Sequence, residues 1–365
     1  MYSQAELDEA VAAGALTADS AASLRRHVEQ QRATPTADEE QFRLLTGFND
    51  IFVSIATLIL LFAVAWIGQQ AGAALGLAVE RNGPSPVGPA AIAAIAWGLA
   101  LYFTARRRMA LPSILLLLAF VGGVFSAVGF TVLTIMGDAA EPVAGVVAAT
   151  AGLLAAAAAW LHWKRFHVPI TIAVGAAAVA VVAVGLFANA LGFERDGVEN
   201  VLLGFVLLLG IGMFLFAMWW DGSDRARTTR RSDVAFWLHL LAAPMIVHPI
   251  FSLLGLTDGN ATIGEGLAVV LLYLVLGLTA VAVDRRALLV SALAYVLWAL
   301  SSLFKQFGAV ELNVALTALV IGSALLLLSA FWNQARSAIV RPLPANLRER
   351  LPITNRPALS PRPAA

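Results

Sequence analysis

Residues 160–169 read WLHWKRFHVP and stand between two long apolar runs. The stretch holds Trp160, Trp163, His162, His167 and the Lys164-Arg165 pair. The histidines flank a turn and have no acidic neighbour. A metal site wants convergent ligands held by further hydrogen bonds, so this pair fits one poorly. A tryptophan at headgroup depth buries its ring and still hydrogen-bonds its N–H, and lysine and arginine meet an anionic inner surface. The stretch therefore reads as a turn at the inner face of a membrane, with interfacial histidines, and the runs on either side read as membrane helices.

Composition supports that reading. The chain has 365 residues, of which 60% are hydrophobic and 13% charged, and its mean hydropathy is +0.81. A soluble domain is about half apolar and about one quarter charged. The excess points to an all-α polytopic membrane protein with the lipid bilayer as its first partner. A net charge of +1 implies no nucleic-acid partner, and the absence of cysteine excludes disulfides, thiolate metal sites and cysteine nucleophiles. No cofactor is expected.

Outward from that turn, ten runs are each long enough to cross a hydrocarbon core: 50–70, 87–104, 111–136, 142–163, 168–192, 198–220, 234–256, 263–283, 287–307 and 311–332. Residues 71–86 either extend the first helix or form a short outer segment. With the N-terminus inside, the inner side holds 21 of the lysines and arginines and the outer side 3 (Arg81, Arg195 and Lys305). That bias places both termini in the cytoplasm. No secretory signal is visible, because the first ~45 residues are polar. The expected location is the bacterial inner membrane.

Four segments follow. Residues 1–34 read as a small cytoplasmic helical hairpin, with Gly14 ending one helix and Thr17 capping the next. Its apolar seam is too small to stand alone, so it leans on a cytoplasmic protein, the membrane or another copy. Residues 35–49 form an amphipathic connector, 50–335 the transmembrane bundle, and 336–365 a Pro/Arg-rich, disordered cytoplasmic tail.

Basic turns recur at Arg106, Lys164, Arg225 and Arg285, spaced 58, 61 and 60 residues apart. The rhythm fits repeated two-helix hairpins, though any run of similar hairpins shares it. Glu141, Glu199, Glu265 and Glu311 begin the returning helices. Carboxylates there complement the helix dipole, and the alternative is an outer acidic ring that attracts cations.

Ionisable groups inside membrane helices are functional candidates. His248, Lys305, Gln306, Asn189 and Asn313 all fall in the expected outer half and form the candidate substrate-binding set around an outward-facing pocket. The plainer alternative has Lys305 snorkelling outwards and His248 bonding a carbonyl freed by Pro244 or Pro249. His239 reads as interfacial. Glycines such as Gly123, Gly185 and Gly210 permit close helix approach, and Gly72 with Gly76 make a GxxxG.

The chain has no P-loop, no H-E-x-x-H and no G-x-S-x-G, so an enzyme is not expected. The stretches LDEAVAAGALTADSAASLRRHV and FRLLTGFNDIFVSIATLILLFAVAWIG resemble the start of an uncharacterised bacterial polytopic membrane-protein family with a short N-terminal helical hairpin. The resemblance spans about residues 5–70 and implies layout only. The function expected is a transporter-like or solute-binding membrane protein. The alternative is a membrane-anchored scaffold or sensor whose hairpin recruits a cytoplasmic partner, or which assembles as a homo-oligomer.

Overall fold

Where the described residues cover the expected apolar runs, the chain is largely helical. In a computed structural model the described residues are 11–24, 48–79, 83–137, 143–192, 197–225, 227, 229–255, 263–286, 288–289, 293, 297, 313–349 and 351–352. The helices are α1 (Phe48–Ala74), α2 (Val87–Phe103), α3 (Ala110–Met136), α4 (Ala144–Phe166), α5 (Ile170–Leu191), α6 (Val198–Gly222), α7 (Arg230–Leu253), α8 (Ile263–Val283), α9 (Asn313–Ala330), α10 (Trp332–Val340) and α11 (Ala345–Arg348). No strand occurs among the described residues. Six helices there (α1 and α3 to α7) are long and apolar enough to cross a membrane, and α2 is a shorter apolar helix. Most of the expected 287–307 run lies outside the described residues.

The chain divides into two units, residues 1–42 with 353–365, and residues 43–352. In the first, Gly14 takes φ +71° and its N–H bonds the Val11 carbonyl. Thr17 caps the helix over 18–24 by accepting the Ser20 N–H at 3.2 Å, so both ends of this turn follow the sequence expectation.

In the second unit consecutive helices pack through α5, and α6 packs on α7. Lipid tails are as apolar as leucine, so association rests on close backbone approach. A Cβ added to Gly68 of α1 would stand 2.7 Å from Gly88 Cα of α2, and one on Gly123 of α3 would stand 2.7 Å from the Pro89 carbonyl. Gly145 and Gly185 face each other across α4 and α5 in the same way. The outward faces carry large apolar residues such as Phe52, Phe62, Trp66, Leu208 and Leu215, each more than half exposed. Only 11% of the apolar window of α6 is buried, so most of that helix needs lipid contact. The molecule is a multi-pass membrane protein.

The GxxxG of α1 has another use. Gly72 packs on Ser85 of the returning chain, while Gly76, just past the end of α1, has φ +72° and open space where a Cβ would stand. Gln69 donates to the Gly83 carbonyl at 2.9 Å and accepts the Ser85 N–H at 2.8 Å. Residues 71–74 thus extend α1, and Gly83 and Ser85 lie back against it at Gln69.

Helix ends alternate in kind. After α1, α3, α5 and α7 the residue with positive φ is a glycine: Gly76, Gly137, Gly192 and Gly255. After α2, α4, α6 and α8 it is Arg108, His167, Arg227 and Asp284, with φ between 52° and 60°. Glycine adopts this region without strain, whereas other residues pay about 1–2 kcal/mol. The basic turns therefore keep polar side chains at a conformational cost.

The opening stretch forms one of these turns. Lys164 stacks on Trp160, and His167 ends α4 with its N–H on the Trp163 carbonyl. His162 departs from the interfacial expectation. It is fully buried, with Nδ1 3.2 Å from Thr171 Oγ1 and Phe166, Phe120 and Trp97 around the ring. Its register on α4 turns it inward while Trp160, which is 62% exposed, faces out.

The tail expectation also changes. Residues 332–340 and 345–348 are helical, and Trp332, Arg336, Val340, Leu351 and Pro352 are buried. Trp332, Arg336 and Val340 share one helical face, and burying that face orders the segment. Residues 353–365 lie outside the described residues.

Candidate functional site

Asp221 lies in the last turn of α6, where a carboxylate follows a long apolar run. An unpaired charge in such a place costs several kcal/mol, about 3–5 when a partner is missing. Two groups engage it. Arg285, from the turn after α8, holds both carboxylate oxygens, with Nη2 on Oδ1 and Nε on Oδ2 at 3.1 Å. His239 of α7 places Nε2 3.0 Å from Oδ2. Arg285 also donates to the Ser232 carbonyl at 3.0 Å. Asp221 and His239 are fully buried and Arg285 is 3% exposed. The planar guanidinium fork matches the carboxylate, which accounts for an arginine at this position.

A carboxylate only accepts hydrogen bonds. A neutral His239 therefore carries its hydrogen on Nε2, and Nδ1 presents a lone pair. That nitrogen is buried without a hydrogen-bond partner, beside the Phe214 ring at 5.3 Å between centroids.

A second carboxylate organises the neighbouring turn. Asp284 accepts from Arg227 Nη1 and from the Trp332 indole, each at 2.7 Å, with Arg336 at 3.7 Å. Burial pushes its carboxyl up, but the charges of Arg227 and Arg336 and the indole N–H outweigh this and hold it below the ordinary value. Arg227 also donates to the Val283 and Asp284 carbonyls, which closes the end of α8. Asp224 accepts the Thr229 N–H and hydroxyl and so fixes the start of α7.

These turns clamp the tail. Arg225 donates to the Leu351 carbonyl at 3.0 Å, and Arg336 to that of Pro352 at 2.7 Å. Arg286 lies over the Trp332 ring. Val340, Leu343 and Leu351 pack with Val283, Phe214 and Met218.

Between the cluster and the far end of α7 the helix carries Pro244 and Pro249. Pro249 has no N–H for the Met245 carbonyl, and that oxygen faces Gly210 of α6 instead. The helix stays continuous but is two hydrogen bonds weaker, since Pro244 leaves Leu240 in the same position.

The sequence-predicted residues are dispersed. His248 is exposed on α7. Asn189 is half-buried at the α4–α5 crossing, with its carboxamide oxygen lacking a hydrogen-bond partner. Asn313 begins α9, and Lys305 and Gln306 lie outside the described residues. A hollow of about 260 Å³ lined by Phe62, Trp66, Gln69, Ser85 and Phe130 includes none of them. His239, read as interfacial, and Arg285, read as a surface charge, instead form the buried centre with Asp221. Among the described residues no group of three or more His, Cys, Asp or Glu could hold a metal ion.

Comparison of the chain with protein-family models, curated proteins and solved structures finds no match.

Proposed function

We propose that the chain is a transporter-like bacterial inner-membrane protein of about ten membrane helices. Both termini and all the basic turns face the cytoplasm, and the working charge centre is Asp221, His239 and Arg285. The observation that carries this reading is the buried carboxylate–imidazole–guanidinium cluster at the ends of membrane helices. Such groups are expensive in a bilayer and mark ion or substrate pathways. The continuous but proline-weakened α7 joins His239 to the outer polar group His248, and prolines in a membrane helix free backbone carbonyls for other partners. Asn189, Asn313, Lys305 and Gln306 supply further polar groups for the outer approach. The alternation of helix ends favours repeated hairpins and fits the arginine bias.

A second reading, a scaffold or sensor, draws on the separation of residues 1–42 into their own unit with 353–365. The test is charge displacement across supported membranes carrying the purified protein. Solution jumps of protons, sodium, amino acids, sugars and carboxylates are applied in turn. Transport predicts a transient current for at least one jump and its loss in Asp221→Asn. No current for any jump contradicts transport and favours the scaffold.

A further inference from the structure

The charge centre contains a proton acceptor that nothing around it uses. His239 spends its single N–H on Asp221, and Nδ1 faces the interior bare. An unsatisfied buried acceptor costs about 1–3 kcal/mol. We propose that His239 Nδ1 is a proton-binding site, and that the proton it takes competes with Arg285 for Asp221. This rests on the transport reading and deepens it by naming the coupling ion.

The competition follows from counting charge. With neutral His239, the negative Asp221 and positive Arg285 cancel. A proton on Nδ1 makes an imidazolium and leaves one excess positive charge in a site with almost no water access, which is costly. Relief needs a second carboxylate or the departure of Arg285. The acids nearby are Asp224 in the α6–α7 turn, Asp233 on α7 and Asp284 after α8. Asp224 already serves Thr229, and Asp284 serves Arg227, Trp332 and Arg336. Asp233 lies on α7 within electrostatic reach of Arg285 and Arg230. The remaining cations, Arg227 and Arg230, add to the repulsion.

The departure of Arg285 also breaks its bond to the Ser232 carbonyl. Arg285 sits in a turn, between Asp284, which is bonded to Trp332, and Arg286, which lies over the same indole. After release, Asp221 pairs with the imidazolium and the site is again neutral. No bond other than N–H forms; the proton comes from water, and the excess charge leaves on the guanidinium. Movement of the turn pulls on α10 and the tail docked beside it, which links protonation to a change at the basic face.

The experiment uses the full chain in detergent micelles with 15N-labelled histidine. Ring-nitrogen shifts are followed from pH 5 to 9, and His239 is assigned by its loss in His239→Gln. The proposal predicts that His239 titrates, and that Arg285→Gln moves its midpoint upward by about one pH unit or more. If Arg285→Gln aggregates, Arg285→Lys replaces it, with a smaller upward shift expected because an ammonium cannot span both oxygens. A His239 that never titrates, or a midpoint unmoved by the substitution, overturns the proposal. No gradient is involved, so absent currents with an intact titration would remove transport and leave the proton site standing.

Discussion

Gly210 of α6 lies against the Met245 carbonyl of α7, the oxygen that Pro249 leaves without a helical hydrogen bond. A Cβ at Gly210 would stand 2.7 Å from it. The glycine lets the neighbouring backbone cover a polar atom that lipid cannot satisfy. Gly210→Ala is therefore expected to lower stability by roughly 1–3 kcal/mol. Gly204 and Gly212, on the same helix, have open space at the Cβ position. Alanine there should be neutral or stabilising by up to about 1 kcal/mol. Thermal midpoints of the three variants in one detergent check the sign.

The alternating helix ends give a second pair of opposite outcomes. Gly192, at φ 76° and ψ 127°, lies in a region that glycine alone adopts readily, and Gly192→Ala should cost about 1–3 kcal/mol. His167→Gly relieves left-handed strain in an exposed residue and, after the extra entropy of an unfolded glycine, should leave stability unchanged or slightly raised. Equal losses in both would mean that backbone strain does not govern these turns.

Much of the helical layout was legible because a membrane helix is a long local signal. The start of α7 was read four residues late, at 234. Hydropathy cannot see that Asp224 and Thr229 cap a first turn made of Arg230, Arg231, Ser232 and Asp233. The tail was read as extended from its prolines and arginines, and its buried stripe was hidden because Arg336 is one of the buried residues. The charge centre was not legible as a unit. Asp221 is 18 residues from His239 and 64 from Arg285, and no periodicity spans such distances. The available signal was a lone aspartate closing an apolar helix, which must find a cation somewhere.

Asp284→Asn removes the charge that Arg227 and Arg336 share, and is expected to cost about 1–3 kcal/mol. The folded protein holds this carboxyl below its ordinary value. Its contribution is thus fully present above the unfolded value near 4, and fades as pH falls towards the lower folded value. Thermal midpoints of parent and variant should differ by a constant amount from pH 7 to about 5. The gap should close only at more acid pH.

Arg225→Ala frees the Leu351 carbonyl and one anchor of the tail. Limited trypsin digestion should then cut faster after Arg348, by several-fold, while the membrane helices stay intact. An unchanged cleavage rate would mean that hydrophobic packing of Val340 and Leu351 alone holds the segment.

Since the chain has no cysteine, topology can be read from single introduced thiols. Arg107→Cys and Lys164→Cys lie in basic turns, and Leu75→Cys and Leu254→Cys at opposite helix ends; all four positions are exposed. In intact bacterial cells an impermeant maleimide should label the Leu75 and Leu254 positions and spare the Arg107 and Lys164 positions until the membrane is permeabilised. Labelling of the Lys164 position in intact cells, or equal labelling of all four, would contradict a membrane-spanning bundle with its basic turns inside.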